Sequence, residues 1–333
     1  MLAFLGAVLG AGSLAVGQEG GGGGGGLVNP MLDVTYFGPS KGQIASQTTL
    51  IMISESKEIK TKDATGMAQY NIDREEGSTG LTETVLYGVT DDITASLEFG
   101  WQSDTKEDTA KTVVAGTQVS EATTEEVKTG LTEPVLGIKW AGKFSDIKAD
   151  AALKYSANGG QAKDGVHKGD DGNQLRGADE TQINVGVGKS FGIMSLRLGV
   201  RMVMEGDTEY SGEDVTKVEN GTDTFIDLRY GMALSRAMTC SVTLTSTMKG
   251  SEVTKVSGTE MQKIEYNPGL VMQLGLAYAL DPKMMLGFGL GFEMGSTDIT
   301  FKQYDPTTMT FSEMKGEIDG TGLGYGFQFS YLI

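Results

Sequence analysis

Chemistry that needs a nucleophile, a general base or a soft metal has little to work with in this chain. Its 333 residues include one histidine, His167, and one cysteine, Cys240. Nucleophilic catalysis on a serine or thiol needs a base within hydrogen-bond reach, yet "DGVHKGDDGNQLRGADE" holds His167 without a serine. Asp164, Asp170 and Asp171 are its neighbours in sequence only, and they lack the spaced ligands and closing glutamate of a calcium loop. No catalytic residue, no metal-ligand set and no cofactor is therefore expected. Cys240 reads as a small hydrophobe.

The remaining candidates are charges. Glu83, Glu98, Glu133, Lys139, Lys148, Asp150, Lys154, Arg197, Arg201, Asp227, Arg229 and Glu293 fall on the polar phase of an apolar/polar alternation. "TGLTETVLYG" and "TGLTEPVLGI" form a near-repeat that matches Glu83 to Glu133 and assigns both to that phase. Across a water-filled space, Arg197, Arg201 and Arg229 could oppose Glu83, Glu98 and Asp150 as a polar constriction. The same groups could instead pair into an ion network that fills the half of the interior nearest the fifth to ninth strands. Both remain open at this level.

What positions these charges is a set of two-faced strands. In "GTGLGYGFQFSYLI", Leu323, Tyr325, Phe327, Phe329, Tyr331 and Ile333 share a face opposite Gly322, Gly324, Gly326, Gln328 and Ser330. "MMLGFGLGFEMG" sets Leu286, Phe288, Leu290, Phe292 and Met294 against Gly287, Gly289, Gly291 and Glu293. "LVMQLGLAYAL", "MTCSVTLTSTM" and "MSLRLGVRMVM" repeat the pattern. Period-two alternation over about ten residues is what a tilted transmembrane strand requires. Short turns at Thr90–Asp92, Ala141–Lys143, Phe191–Gly192, Ser235–Ala237 and Asp281–Lys283 alternate with long polar stretches near 104–128, 157–179, 206–221, 249–266 and 297–318. A propeller would need four short strands per repeat rather than two long ones. The pattern predicts an all-β, antiparallel up-and-down transmembrane barrel of about twelve strands over 44–333, the first near Gln47 to Glu58. "TTLIMIS" is apolar on both faces, so the register of that first strand is open. Trp101, Trp140, Tyr155, Tyr278 and Tyr331 fall at strand ends, as an aromatic girdle requires.

Composition agrees. Glycine occurs 49 times and the net charge is −17, which disfavours nucleic acid as a partner. "MLAFLGAVLGAGSLAVGQ" reads as a signal peptide over 1–17, although no lysine or arginine precedes Lys41. The run Gly20 to Gly26 is a flexible tether within an 18–43 N-terminal segment. Leu27 to Gln43 is apolar enough to plug a pore.

The whole resembles Gram-negative outer-membrane β-barrels. "GYGFQFSYLI" looks like the C-terminal signal read by the barrel-assembly machinery, with Ile333 where such signals end in Phe or Trp. "LYGVTDDITASLEFGW" is similar to a strand–turn–strand unit of several outer-membrane transporter families, including the phenol meta-pathway-associated group. The resemblance implies an outer-membrane location among lipid and lipopolysaccharide, and a porin-like channel for small polar or ionic solutes. Acidic loops such as "GDTEYSGEDVTKVENGTD" would favour cations. The alternative is a closed structural or adhesin-like barrel acting through those loops. No enzyme activity is expected.

Overall fold

The computed structural model describes residues 39–62, 68–114, 117–132, 134–156, 161–162, 179–210, 216–235, 237–281, 283–305 and 310–332. The expected signal peptide, most of the tether segment, Glu133, His167 and Ile333 lie outside the described residues.

The chain forms a closed antiparallel barrel of twelve strands, with one short parallel pairing, Glu209–Tyr210 beside Gln161–Ala162, outside the ring of twelve. In order these are β1 (Ile44–Lys62), β2 (Ala68–Gly88), β3 (Ile93–Val114), β4 (Thr117–Leu131, resuming at Val135–Phe144), β5 (Ile147–Ser156), β6 (Glu180–Phe191) and β7 (Met194–Glu205). They continue as β8 (Thr216–Asn220 and Thr222–Ala233), β9 (Met238–Met248 and Glu252–Val256), β10 (Thr259–Tyr266 and Gly269–Ala279), β11 (Met284–Asp305) and β12 (Thr310–Leu332). Each strand pairs with its sequence neighbours, and β1 closes the ring by pairing with β12 from Ala45↔Leu332 to Lys62↔Lys315. Closure leaves no sheet edge, so every ladder group finds a partner inside the barrel wall.

Burial is the reverse of that in a soluble protein. Buried side chains include Gln47, Thr49, Gln102, Asp150, Arg197, Thr243, Thr245, Thr247 and Gln328, whereas Leu198, Leu274, Phe288, Phe292, Phe327 and Phe329 are exposed. Alternation alone sorts the two sets, since successive residues point to opposite faces. An outer surface this apolar is stable only against hydrocarbon. Within that belt Phe288 and Phe327 pack ring to ring at 5.3 Å between centroids.

The register of β1 is now fixed. Leu50 and Met52 lie opposite Phe327 and Tyr325 on the outer face, while Ile51 and Ile53 lie opposite Gly326 and Gly324 on the inner one. Two other expectations need correcting. The turn expected at 141–143 falls at Ser145–Asp146, where Ser145 has φ 58°. Gly142 instead lies flat against the Trp140 ring, where a Cβ would collide with it.

The second correction concerns the polar stretches. Asp104–Val114 pairs with Thr117–Lys128, and Thr297–Asp305 with Thr310–Ile318, so these stretches are strand rather than loop. Their sequence loses the regular apolar phase because these extensions stand above the lipid. A strand of 22 residues such as β3 or β11 rises about 55 Å at the tilt of such barrels, against an apolar band of roughly 25 Å. β5 has 10 residues and β7 has 12, enough to cross that band and little more. The described strands therefore form a tall wall that includes β1–β4 and β10–β12, and the pairing of Thr216–Asn220 with Glu252–Val256 continues it across β8 and β9. Where the lipid belt ends, β9 breaks at Lys249–Ser251 and β10 at Asn267–Pro268.

Candidate functional site

The barrel interior divides into a packed side and a bare side. On the packed side, β5 to β9 bring the expected charges together. Arg197 Nη2 donates to both oxygens of Asp150, at 3.0 and 2.9 Å, and both side chains are more than nine-tenths buried. Gly186 and Gly199 make room for that guanidinium, since a Cβ at either would collide with it. Asp227 accepts a 2.6 Å bond from Thr245 Oγ1. The Arg201 guanidinium lies 4.1 Å from the ring centre of Phe225, a cation–π stack. Its Nε and Nη2 are buried without a hydrogen-bond partner among the described residues, as is Oδ1 of Asn184, its register partner. Arg229 stands opposite Arg197 in register. Lys154 pairs with Glu98 at 3.1 Å. Lys139 and Lys148 share this inner face by alternation along β4 and β5.

On the bare side, glycines stand in register from strand to strand. Gly275 faces Gly289, which faces Gly326, and Gly291 faces Gly324. Ile51 and Ile53 of β1 are the bulky groups beside them. Gln328 Nε2 and Ser330 Oγ are buried there without hydrogen-bond partners among the described residues. Glu293 faces Gly322 on this same inner surface.

Above the lipid belt the inner face of the tall wall is a charge ladder. Lys57 bridges Glu55, at 3.0 Å, and Glu76. Arg74 makes a two-pronged contact with Asp108, at 2.6 and 2.9 Å, and Lys106 reaches Asp108 at 3.2 Å. The Arg74 hydrogen bonds hold the Asp108 carboxyl below the usual carboxylate range. This ladder was missed at the sequence level because 104–128 read as loop and β1 was ended at Glu58. The continuing alternation of Glu55, Lys57 and Ile59 was the signal available.

Glu83 is a correction. It was expected inside, with Glu133 as its match, but it shares the outer face of β2 with Leu81, Val85 and Tyr87. Ser46 Oγ and, at 2.6 Å, Thr48 Oγ1 donate to its two carboxylate oxygens. The β1–β2 wall thus carries a small polar island in the apolar belt, held by its own hydroxyls. A loop-like "TGLTE" preceding an apolar run has no phase of its own, so the repeat transferred a face that the register does not support. The aromatic residues Trp101, Trp140, Tyr155, Tyr278 and Tyr331 are exposed on the outer face. Trp140 packs near Phe144, 6.0 Å between ring centres, beside the short turn at Ser145–Asp146.

An apolar belt outside, a polar interior and a closed antiparallel ladder define a membrane-spanning β-barrel. The solved structures it resembles place it more narrowly, in the fold of Gram-negative outer-membrane barrels. An outer-membrane channel from Pseudomonas putida F1 superposes with TM-score 0.54 at 11% identity, covering 90% of this chain and 98% of that one. A Pseudomonas aeruginosa FadL homologue gives 0.48 at 9% identity, over 87% and 90%. The outer-membrane protease OmpT of Escherichia coli gives 0.36 at 12% identity, over 91% and 100%. No family model and no curated protein matches the chain.

The buried Arg197–Asp150 pair predicts strong coupling. Asp150→Ala and Arg197→Ala should each cost ~3–5 kcal/mol by stranding the other charge, and the double variant should cost far less than their sum, as read from urea unfolding midpoints. The Asp108 shift predicts the pH behaviour of the tall wall. A lowered folded-state pKa gives stability that is present above the unfolded value of about 3.9 and is lost only as pH falls below it. Hydrogen-exchange protection of the β2–β3 extension should therefore hold from pH 7 to about 4, and Arg74→Ala should let it fail within the ordinary carboxylate range.

Proposed function

We propose that the protein is a non-enzymatic outer-membrane channel through which small polar or ionic solutes cross passively, with a preference for cations. The observation that carries this reading is the inner wall of β10–β12 and its facing glycines. A barrel evolved only to be solid would fill that volume, because interiors are packed to crystal-like density. Small residues over three neighbouring strands leave a lane, and the charge set of β5–β9 flanks it. The likeness to the P. putida channel supports the fold on which the reading rests. Net charge of −17 favours cations near the mouth. Glu98, Glu133, Lys139, Lys148, Asp150, Lys154, Arg197, Arg201, Asp227, Arg229 and Glu293 are the proposed lining, and Glu83 stands outside it on the outer face. Outer-membrane lipid, lipopolysaccharide and the assembly machinery are the partners this location entails, and an N-terminal signal peptide would deliver it there.

The strand extensions favour one second reading. Hairpins that rise well beyond the lipid with charge on both faces suit a surface-exposed structural or adhesive barrel whose working part is the tall wall.

Single-channel recording of refolded protein in a planar bilayer separates the two. The channel reading expects discrete conductance steps and a cation-selective reversal potential in a salt gradient, reduced in Glu98→Gln. Silence from protein shown to be folded rules that reading out in favour of the second.

A further inference from the structure

The ring of strands is closed within the lipid belt and open above it. β4 pairs with β5 from Phe144↔Ile147 up to Val135↔Ser156. There Pro134 interrupts the strand, and proline has no N–H to give a ladder. Above it, Thr117–Leu131 pairs with β3 on one side, from Trp101↔Leu131 to Val114↔Thr117. On the other side no strand pairs with it among the described residues. The other extensions follow one another without such a gap, from β3 through β1 and β12 round to β8 and Thr208–Tyr210. The tall wall therefore stops at β4, where every residue from Thr117 to Glu125 is exposed.

A strand edge turns the N–H and C=O groups of alternate residues to water and is a template for one more strand. Natural edges are kept from pairing with copies of themselves by being short, bulged or charged. This one is 15 residues long, and its guard is negative. Thr117–Leu131 holds Glu121, Glu125 and Glu126 against Lys128 alone. Behind the edge the outer face carries glutamates directly opposite one another: Glu75 faces Glu107, which faces Glu125. Like charges so placed repel, and none of the three makes an ion pair among the described residues. Lys111, the nearest lysine on that face of β3, is tied to Asp73 at 2.6 Å instead. A second copy of the chain would bring the glutamates against their own images, so charge selects a basic strand over self-pairing.

We propose that the open edge of β4 is a docking site for a basic, extended peptide segment, which adds to the sheet as a further strand above the membrane. A lysine or arginine on its outer face would stand opposite Glu125, with Glu107 one strand spacing, about 5 Å, behind. Exposed Val127, two residues along the same face, offers an apolar contact. Backbone pairing supplies the attachment and the glutamates the choice of partner. The site lies outside the barrel interior, so it stands whether or not that interior conducts.

The test is fluorescence anisotropy of a labelled peptide of about ten residues, alternating lysine and threonine, titrated with the full chain refolded in a zwitterionic detergent. Saturable binding is expected, and a glutamate–threonine counterpart should not bind. Methylating alternate backbone nitrogens of the lysine peptide keeps its charge, removes its ladder donors along one edge, and should weaken binding at least about ten-fold. The Glu107→Gln, Glu125→Gln double variant relieves repulsion in the folded wall and should weaken the unmodified peptide to a similar degree. Hydrogen exchange should slow in Thr117–Leu131 when peptide binds and stay unchanged in Thr216–Asn220. Absent binding overturns the proposal, and so does equal binding of the methylated peptide, which would be adhesion by charge alone. Protection already present, without peptide, at the alternate amides turned away from β3 overturns it too: in the monomer it gives the edge to another part of this chain, and if it grows with protein concentration, to a second copy.

Discussion

A backbone amide in hydrocarbon has no water to fall back on, and that single shortage organises this molecule. Each unpaired group would cost several kcal/mol, so the strand that begins at Ile44 must find β12 at its free edge, and it does so over the whole of β1. Once the ring is closed, period two does the rest. One phase of each strand must tolerate lipid and the other must live inside, which is why leucine and phenylalanine are exposed here while threonine, glutamine and arginine are buried.

Closure also creates the enclosed volume whose uneven filling gives the interior its character. On β5 to β9 glycine is used to seat a guanidinium: Gly186 and Gly199 give way to Arg197, which is then tied to Asp150. On β10 to β12 glycine faces glycine and nothing is seated. The same residue type therefore builds a packed wall on one side and a bare lane on the other, according to whether a long charged side chain is in register with it.

The two-faced strands of the belt were legible in the sequence because alternation is local: reading along "GFGLGFEMG" is enough to put Phe288 and Glu293 on opposite faces. What could not be read depended on pairing. The face of Glu83 is decided by Thr48 and Phe99 on the neighbouring strands, and a near-repeat carries no such information. The choice between Ile51 and Leu50 as the inward residue likewise waits for Gly326. The extensions of β3 and β11 were mistaken for loops because strands outside the lipid lose the apolar phase that makes them recognisable. The open edge of β4 was invisible for the same reason, since it shows only in which strands pair.

The central claim is that lipid lies on one side of the bare wall and water on the other. It is tested most directly by scanning β11 with single cysteines at positions 286–293, in a Cys240→Ser background reconstituted in liposomes, using a membrane-impermeant maleimide. Labelling should alternate, with Gly287, Gly289, Gly291 and Glu293 positions reactive and Leu286, Phe288, Leu290 and Phe292 positions protected. Uniform labelling, or protection at every position, would contradict the account.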